Sequence, residues 1–163
     1  MDIRTGIGYD VHKLVKNRDL VIGGVKIEYE FGLLGHSDAD VLIHAIMDSL
    51  LGAAGLRDIG YYFPPGEKEF ENISSLILLK KVNELLKEKY YHIINIDSIL
   101  MAEKPKIGKY VDIMKKNISE FLEISIDRIG VKATTTEKLG FVGREEGMAA
   151  MATSLLERII IND

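Results

Sequence analysis

The chain has 163 residues, 47% of them hydrophobic, and a net charge of −4 with acidic and basic residues intermixed. This predicts one domain over residues 1–163 with a substantial core, and the lack of a basic face argues against nucleic acid as a partner. The sequence contains no cysteine, which excludes disulfides and thiolate metal sites. No signal or transit pattern opens the chain, and the apolar stretch at residues 41–56 is too short to span a bilayer. We therefore expect a cytoplasmic protein with no membrane partner.

Hydrophobic periodicity and turn signals predict the secondary structure in chain order. Strands are predicted at residues 3–14, 93–101 and 129–135, and apolar runs around Gly23-Gly24 predict a hairpin over residues 20–27. Glycines at positions 6 and 8 of the first strand allow another backbone to approach closely. Helices are predicted from a Ser37 or Asp38 cap to about residue 54, and over residues 73–90 and 110–122.

The remaining segments are predicted loops, at residues 31–35, 55–69 and 140–147. The last segment, residues 148–161, has a composition that favours helix and a periodicity that does not decide. Because hairpins and helices are mixed along the chain, the pattern indicates an α+β fold.

Asp10 and His12 lie two residues apart on the first predicted strand, so their side chains share one face. A carboxylate and an imidazole side by side supply two ligands of a metal site. The alternative is a structural Asp-His pair on a polar strand face.

The first predicted helix carries a polar stripe on an otherwise apolar sequence: Asp40, His44 and Asp48 follow one another at intervals of four residues. Such a stripe is costly to bury unless it is satisfied, and a metal ion would satisfy it. His44 with Asp10 and His12 gives three ligands and an open position, the composition of a catalytic zinc site. Asp40 or Asp48 would then orient His44.

Phosphate-binding groups are predicted at two further places. His36 and Ser37 lie at the predicted helix start, where free N–H groups favour an anion. The strand ending in Thr134-Thr135-Thr136 places hydroxyl groups beside Glu137, and a carboxylate tolerates phosphate only when a magnesium-type ion lies between them. The alternative is an exposed β-branched strand edge. Arg144 adds a fork-shaped donor for another oxyanion.

Five segments taken together resemble the 2-C-methyl-D-erythritol 2,4-cyclodiphosphate synthase family over the whole chain. They are Gly8–His12, Gly35–Ala45, Gly55–Pro64, Ala102–Lys106 and Lys132–Gly147. The resemblance implies a cyclase that converts 4-diphosphocytidyl-2-C-methyl-D-erythritol 2-phosphate to 2-C-methyl-D-erythritol 2,4-cyclodiphosphate and releases CMP, in non-mevalonate isoprenoid precursor synthesis.

The resemblance also implies cofactors, catalytic residues and assembly. Asp10, His12 and His44 would hold zinc, and Glu137 would hold magnesium or manganese against the substrate diphosphate. His36 and Thr135 would stabilise the transition state. The fold would be a mixed β-sheet with helices packed on one face, in a homotrimer with active sites at subunit interfaces. The family's last segment is a strand, so we predict a strand at residues 148–156, against the composition.

Substrate contacts carry over by position from the same resemblance. They fall on Asp10, His12, His36, Ser37, Asp58, Ile59, Gly60, Phe63, Pro64, Pro65, Gly66, Glu67, Ala102, Glu103, Lys104, Pro105, Lys106, Ile107, Gly108, Ala133, Thr134, Thr135, Thr136, Glu137, Phe141 and Arg144. The sequence departs from the family after Pro64. An acidic, Thr-containing loop is usual there, and this chain has Pro65-Gly66-Glu67, so side-chain contacts from position 65 do not transfer.

Two other functions use the same residues. A zinc phosphohydrolase would employ the Asp-His-His site with water as nucleophile and would release free phosphate. A non-catalytic nucleotide-binding protein would bind CDP and turn nothing over. Two separate metal-compatible sites together with a cytidine-binding segment favour the cyclase over both.

Overall fold

A computed structural model describes residues 1–159 of the chain. Its strands are β1 (Asp2–Lys16), β2 (Leu20–Ile22), β3 (Val25–Ile27), β4 (Phe31–Leu33), β5 (Tyr91–Met101), β6 (Ile129–Thr134) and β7 (Gly147–Arg158). Its α-helices are α1 (Val41–Ala53), α2 (Ile59–Tyr62), α3 (Ser75–Glu88), α4 (Val111–Leu122) and α5 (Gly140–Gly143). The three long predicted strands, the hairpin and the three long helices are therefore confirmed, with ends that differ by a few residues.

Five strands form one mixed sheet in the order β4-β1-β7-β5-β6. β1 is antiparallel to β4 and to β7, β5 is antiparallel to β7, and β5 and β6 are parallel. β2 and β3 pair separately in a hairpin whose turn residues, Gly23 and Gly24, both have positive φ, as a two-residue hairpin turn requires. The predicted α+β class with a mixed sheet is confirmed.

The helices cover one face of this sheet. α1 packs on β1 and β7, α3 packs on α1 and β5, and α4 packs on α3 and β6. Along β1 the side chains alternate accordingly: Asp10 and His12 point to the helix side, whereas Ile7, Tyr9 and Val11 are exposed on the other side. Along β1, the face away from the helices therefore carries apolar side chains that are exposed in the single chain.

Glycine at two positions of β1 allows α1 to lie directly on the strand. A Cβ atom at Gly8 would lie 1.9 Å from the Ala45 carbonyl oxygen, and one at Gly6 would lie 2.0 Å from that of Ser49. Any side chain at either position would push the helix away. The close backbone approach expected from the sequence is confirmed, and it brings the ligands on β1 to those on α1.

The start of α1 differs from the prediction. The helix begins at Val41, and its cap is Asp40, whose carboxylate accepts a hydrogen bond from the Ile43 N–H. Ser37 and Asp38 belong to the preceding loop. The prediction was wrong because several potential capping residues stand in a row, and only the tertiary contacts of Asp40 choose among them.

The predicted loops contain short elements that local sequence did not reveal. β4 lies within residues 31–35, α2 lies within residues 55–69, a 3₁₀ turn (Lys68–Phe70) begins inside that loop and ends one residue beyond it, and α5 lies within residues 140–147. β4 exists because three of its residues pair with the end of β1.

The last described element, β7, is a strand, as the family resemblance predicted and the composition did not. It is paired on both sides, by β1 and β5, so its Ala and Met side chains fit a buried sheet position in spite of their helix propensity. Residues 160–161 of the predicted segment lie outside the described residues. Within residues 1–159, no helix has the length and apolar character needed to cross a bilayer.

Candidate active site

Three candidate metal ligands come together where β1 lies against α1. Asp10 Oδ2 is 2.9 Å from His12 Nε2 and 3.0 Å from His44 Nδ1, and the two ring nitrogens are 3.1 Å apart. Asp10 and His12 share the helix-facing side of β1. His44 lies in the first turn of α1, the helix that packs closely against β1 at Gly8. The predicted Asp-His-His arrangement is thus formed by residues more than thirty positions apart in sequence.

The electrostatics of this cluster favour an ionised Asp10. Burial alone would raise the pKa of Asp10, but hydrogen bonds and charge interactions with His12 and His44 outweigh burial and hold that pKa well below its usual range. Burial would lower the pKa of His12, yet the hydrogen bond that protonated His12 donates to Asp10, together with the charge of Asp10, outweighs burial and raises that pKa. An ionised carboxylate flanked by two imidazoles is a suitable donor set for a divalent metal.

The outward nitrogen of each histidine is held by the protein. His12 Nδ1 donates to the Leu34 carbonyl oxygen at 2.7 Å, so this nitrogen carries a proton and Nε2 is the nitrogen available to a metal. His44 Nε2 lies 2.9 Å from Ser75 Oγ and 3.2 Å from Ser37 Oγ. Such contacts orient metal-binding histidines.

The expectation that Asp40 or Asp48 orients His44 is wrong. Asp40 accepts hydrogen bonds from the backbone N–H groups of Gly23, Gly24 and Ile43, so it joins the β2–β3 turn to the start of α1. Asp48 accepts from the Ile59 N–H and ties α2 to α1. The four-residue spacing placed these side chains correctly on the helix, but tertiary neighbours provide each with a different partner.

A cavity of about 300 Å³ opens over the ligand cluster. It brings together many of the predicted site residues, with further apolar lining that the sequence did not single out: Asp10, His12, Gly35, His36, Ser37, His44, Ile59, Gly60, Phe63, Pro65, Phe70 and Leu78. Because Asp40 caps α1, the anion site predicted for His36 and Ser37 lies in the loop before the helix and not at its N-terminus.

Other residues of the predicted substrate loop lie outside this lining. Asp58 caps α2 by accepting from the Tyr61 N–H at 3.0 Å. Gly66 and Glu67 are exposed, and Pro64 is half-buried. The segment that departs from the family thus forms a surface turn, with Pro65 alone among its three residues lining the cavity.

A second group of predicted residues lies at the adjacent ends of β5 and β6. Ala102 N–H donates to the Thr134 carbonyl, which joins the predicted cytidine-binding segment to the threonine segment. The Thr135 hydroxyl donates to Glu137 at 3.2 Å, and Thr136 turns its hydroxyl inward to the Leu139 carbonyl. The strand ends at Thr134, so the other two threonines belong to the loop that follows it.

Glu103 has a structural part in this second group. Its carboxylate accepts from the backbone N–H of Thr136 at 3.0 Å and of Lys138 at 3.2 Å. It therefore braces the turn that carries Glu137, whose φ is +53°. Glu137 itself is exposed.

Candidates at the edge of this second group are engaged with one another. The Arg144 guanidinium forms two contacts of 3.1 Å with Glu146, so the predicted oxyanion donor has an acidic partner here. Lys104 pairs with Glu145 at 3.3 Å, and Phe141 is partly exposed. Both pairs lie at the surface, where such contacts contribute little to stability.

The two groups are separate within one chain. β1, which carries the metal ligands, and β6, which carries the threonines, are three strand positions apart in the sheet, or roughly 14 Å at the usual spacing. Residues 102–108 and 133–144 contribute nothing to the lining of the cavity over Asp10, His12 and His44. Within one chain, the metal-ligand group and the threonine group are therefore each formed, but they do not line a common cavity.

Sequence reasoning missed Ser75, the first residue of α3, which contacts His44. No motif marks it, because its importance comes from the packing of α3 against the loop before α1. The apolar lining residues Phe70 and Leu78 also carry no local signal that distinguishes them from core residues.

Comparison with known proteins places this architecture in a family. The sequence model of the YgbB family matches residues 3–157. The chain belongs to the YgbB family. A 2-C-methyl-D-erythritol 2,4-cyclodiphosphate synthase of Clostridium botulinum is 57% identical over 155 residues, which cover 95% of this chain and 100% of that protein.

Solved structures of YgbB-like chains show the same fold. An IspF from Plasmodium falciparum in complex with CDP superposes with a TM-score of 0.84 at 39% identity, over 97% of both chains. The bifunctional IspDF from Campylobacter jejuni superposes with a TM-score of 0.93 at 46% identity, over 97% of this chain and 43% of the bifunctional one. This YgbB chain therefore corresponds to less than half of the bifunctional protein and to nearly all of the other two relatives.

Proposed function

We propose that this chain is a 2-C-methyl-D-erythritol 2,4-cyclodiphosphate synthase, which cyclises 4-diphosphocytidyl-2-C-methyl-D-erythritol 2-phosphate and releases CMP. The observation that carries the proposal is the Asp10–His12–His44 cluster beneath a cavity, in a chain that aligns over 95% of its length with a synthase of that name. The CDP complex of the Plasmodium relative supports a cytidine nucleotide as substrate. The cytoplasmic location expected from the sequence stays a prediction.

The reaction needs positioning and charge neutralisation more than proton transfer. An oxygen of the 2-phosphate forms a bond to the β-phosphorus, and the bond from the β-phosphorus to the bridging oxygen breaks, with its electron pair leaving on CMP. A phosphate monoester has a second pKa of about 6 and is already mostly ionised near neutral pH, so no general base is required. The enzyme must fold the substrate and bring two anionic groups together.

The donor set fits zinc. One carboxylate oxygen and two imidazole nitrogens lie 2.9–3.1 Å from one another, close to the separation of about 3.3 Å expected for ligands of a tetrahedral ion at 2.0–2.1 Å. Asp10, His12 and His44 would hold this ion. When bound, it supplies positive charge to a phosphate oxygen in the cavity.

Magnesium or manganese fits the second group. Glu137 offers an exposed carboxylate, and Mg²⁺ commonly binds one or two carboxylates together with substrate phosphates and water. The Thr135 hydroxyl, which now donates to Glu137, would turn to a phosphate oxygen. His36, at the rim of the metal cavity, would donate to the transferred phosphoryl group from the other side.

Two features support a homotrimer with the active site shared between subunits. The metal group and the threonine group are too far apart in one chain to contact the same diphosphate, and the sheet face away from the helices exposes Ile7, Tyr9, Val11 and Met151. A neighbouring copy would cover this apolar face and would bring its Thr135 to the metal cavity of the first.

Phosphorus NMR of the products tests the function. Incubated with the substrate, zinc and magnesium, the protein should convert it to one product with two coupled diphosphate signals and to CMP in equal amount. Release of inorganic phosphate would instead indicate the phosphohydrolase, and CDP binding without turnover would indicate a binding protein. The His44→Ala variant is the matched control and should lose both zinc and turnover.

A further inference from the structure

A short series of hydrogen bonds runs from His44 away from the cavity, through Ser75 to Asp38. His44 Nε2 is 2.9 Å from Ser75 Oγ, and Ser75 Oγ donates to Asp38 Oδ1 at 2.5 Å. We propose that Ser75 and Asp38 are positioning residues that favour a proton on Nε2 of His44 and fix its ring orientation, so that Nδ1 is left as the metal-binding nitrogen beside Asp10. The proposal rests on the metal site proposed above.

The direction of each hydrogen bond follows from Asp38. Its two oxygens accept from the Ser75 hydroxyl, from the Ser75 N–H at 2.9 Å and from the Asp40 N–H at 3.2 Å. A carboxylate in this position only accepts, so the single hydroxyl proton of Ser75 points to Asp38. Ser75 then has only a lone pair to offer His44, which favours a proton on Nε2.

The second hydroxyl beside His44 Nε2 does not oppose this assignment. Ser37 Oγ is farther from Nε2, at 3.2 Å, and accepts from the Ala39 N–H. Nothing else in its surroundings dictates the direction of its own proton, so it adapts to either tautomer. At Nε2, therefore, Ser75 decides, because Asp38 takes its only proton. The Asp10 carboxylate, 3.0 Å from Nδ1, also accepts, and this competition for the proton ends when a metal occupies the site.

The result matches what the Leu34 carbonyl does for His12. In both histidines the outward nitrogen donates to a protein acceptor, so Nε2 of His12 and Nδ1 of His44 are the nitrogens left for a metal beside Asp10. Imidazole binds a metal through such an unprotonated nitrogen. The Leu34 carbonyl cannot be removed by substitution, whereas Ser75 and Asp38 can.

Burial makes this series effective. Ser75 is fully buried as the first residue of α3, and His44 is buried in α1. Water therefore does not readily replace the hydroxyl if it is removed. Partners of this kind typically change metal affinity 10- to 100-fold.

The test uses variants with different hydrogen-bonding capacity. Ser75→Ala removes the acceptor, and Asp38→Asn offers an NH₂ group to Ser75, which frees the hydroxyl proton to donate to Nε2 and moves the imidazole proton to Nδ1. Both should weaken zinc binding by about 10- to 100-fold in competition with a chromophoric chelator. Ser75→Thr keeps the hydroxyl and should restore most of the affinity. Ser49→Ala is the matched control. It removes a buried hydroxyl of α1 that donates to the Ile46 carbonyl, and it should leave zinc affinity unchanged.

A spectroscopic measurement separates positioning from a general structural effect. Two-bond ¹H–¹⁵N spectra are recorded on the metal-free Asp10→Ala protein at alkaline pH, because without a metal the Asp10 carboxylate, 3.0 Å from Nδ1, would draw the proton to that nitrogen. With this carboxylate removed, Ser75 and Asp38 should hold the His44 proton on Nε2, and Asp38→Asn in the same background should shift it toward Nδ1. An Asp10→Ala protein with the proton on Nδ1 would overturn the proposal, even if Ser75→Ala does not fold. So would variants that keep wild-type zinc affinity, or that lose no more than Ser49→Ala does. Because the spectra are recorded without metal, they test the tautomer even if the site proves not to bind zinc.

Discussion

Replacing Gly8 with alanine tests whether the contact between β1 and α1 builds the metal site. The added Cβ would lie 1.9 Å from the Ala45 carbonyl oxygen and 2.7 Å from the Ser49 nitrogen, and real Cβ contacts stay beyond 3.0 Å. The strand and helix must therefore separate by about 1 Å, because backbone atoms on both sides cannot rotate away. Overpacking usually costs about 1–3 kcal/mol, and we expect a value near 3 kcal/mol here.

The same displacement should weaken the metal site. Asp10 Oδ2 on β1 and His44 Nδ1 on α1 are 3.0 Å apart in the native chain. If this separation grew to about 4 Å, the two atoms could not both stay within roughly 0.2 Å of their normal distances to one metal ion. Zinc affinity should fall at least tenfold. Urea unfolding gives the stability change, and chelator competition gives the affinity.

Gly52→Ala is the matched control at the same strand–helix contact. Its Cβ would meet only the Ile7 carbonyl oxygen, at an ordinary 3.7 Å, and alanine has the higher helix propensity by about 1 kcal/mol. This variant should be unchanged or slightly more stable, with wild-type zinc affinity. If Gly8→Ala behaved in the same way as Gly52→Ala, the close approach at Gly8 would not be what builds the site.

Three further predictions concern charge, metal and assembly. Burial raises the pKa of Asp40 to about 6, so between pH 4 and 6 the folded chain keeps a proton that the unfolded chain releases. As the pH rises through this range, the wild-type protein should therefore lose about 3 kcal/mol of unfolding free energy relative to Asp40→Asn. A difference between the two proteins that stays constant with pH in urea titrations would contradict this. Glu137→Gln should raise the half-saturating magnesium concentration and leave zinc content unchanged, whereas superimposable magnesium titrations would mean an uninvolved surface residue. Inactive His44→Ala and Thr135→Ala chains, refolded together, should regain some activity; no recovery despite proven subunit exchange would argue for sites within one chain.

Local sequence by itself determined several features of the fold and of the metal site. Asp10 and His12 share a face because successive side chains of a strand point to opposite faces of the sheet. The glycines at positions 6 and 8 indicated that another backbone packs closely there. The Gly23-Gly24 turn fixed the β2–β3 hairpin, since both residues need positive φ. These features depend on residue type and spacing alone, and periodicity therefore predicts them.

Only the tertiary structure decided which partner each polar group receives. Asp40 and Asp48 lie on the same helix stripe as His44, yet one binds the β2–β3 turn and the other binds α2, while His44 is held by Ser75, 31 residues away. Likewise, the composition of residues 148–161 favours helix, and pairing with β1 and β5 on both sides makes Gly147–Arg158 a strand. Local propensities differ by only a few tenths of a kcal/mol per residue. Long-range hydrogen bonds and burial exceed them, and a single sequence does not reveal which distant residues will supply those contacts.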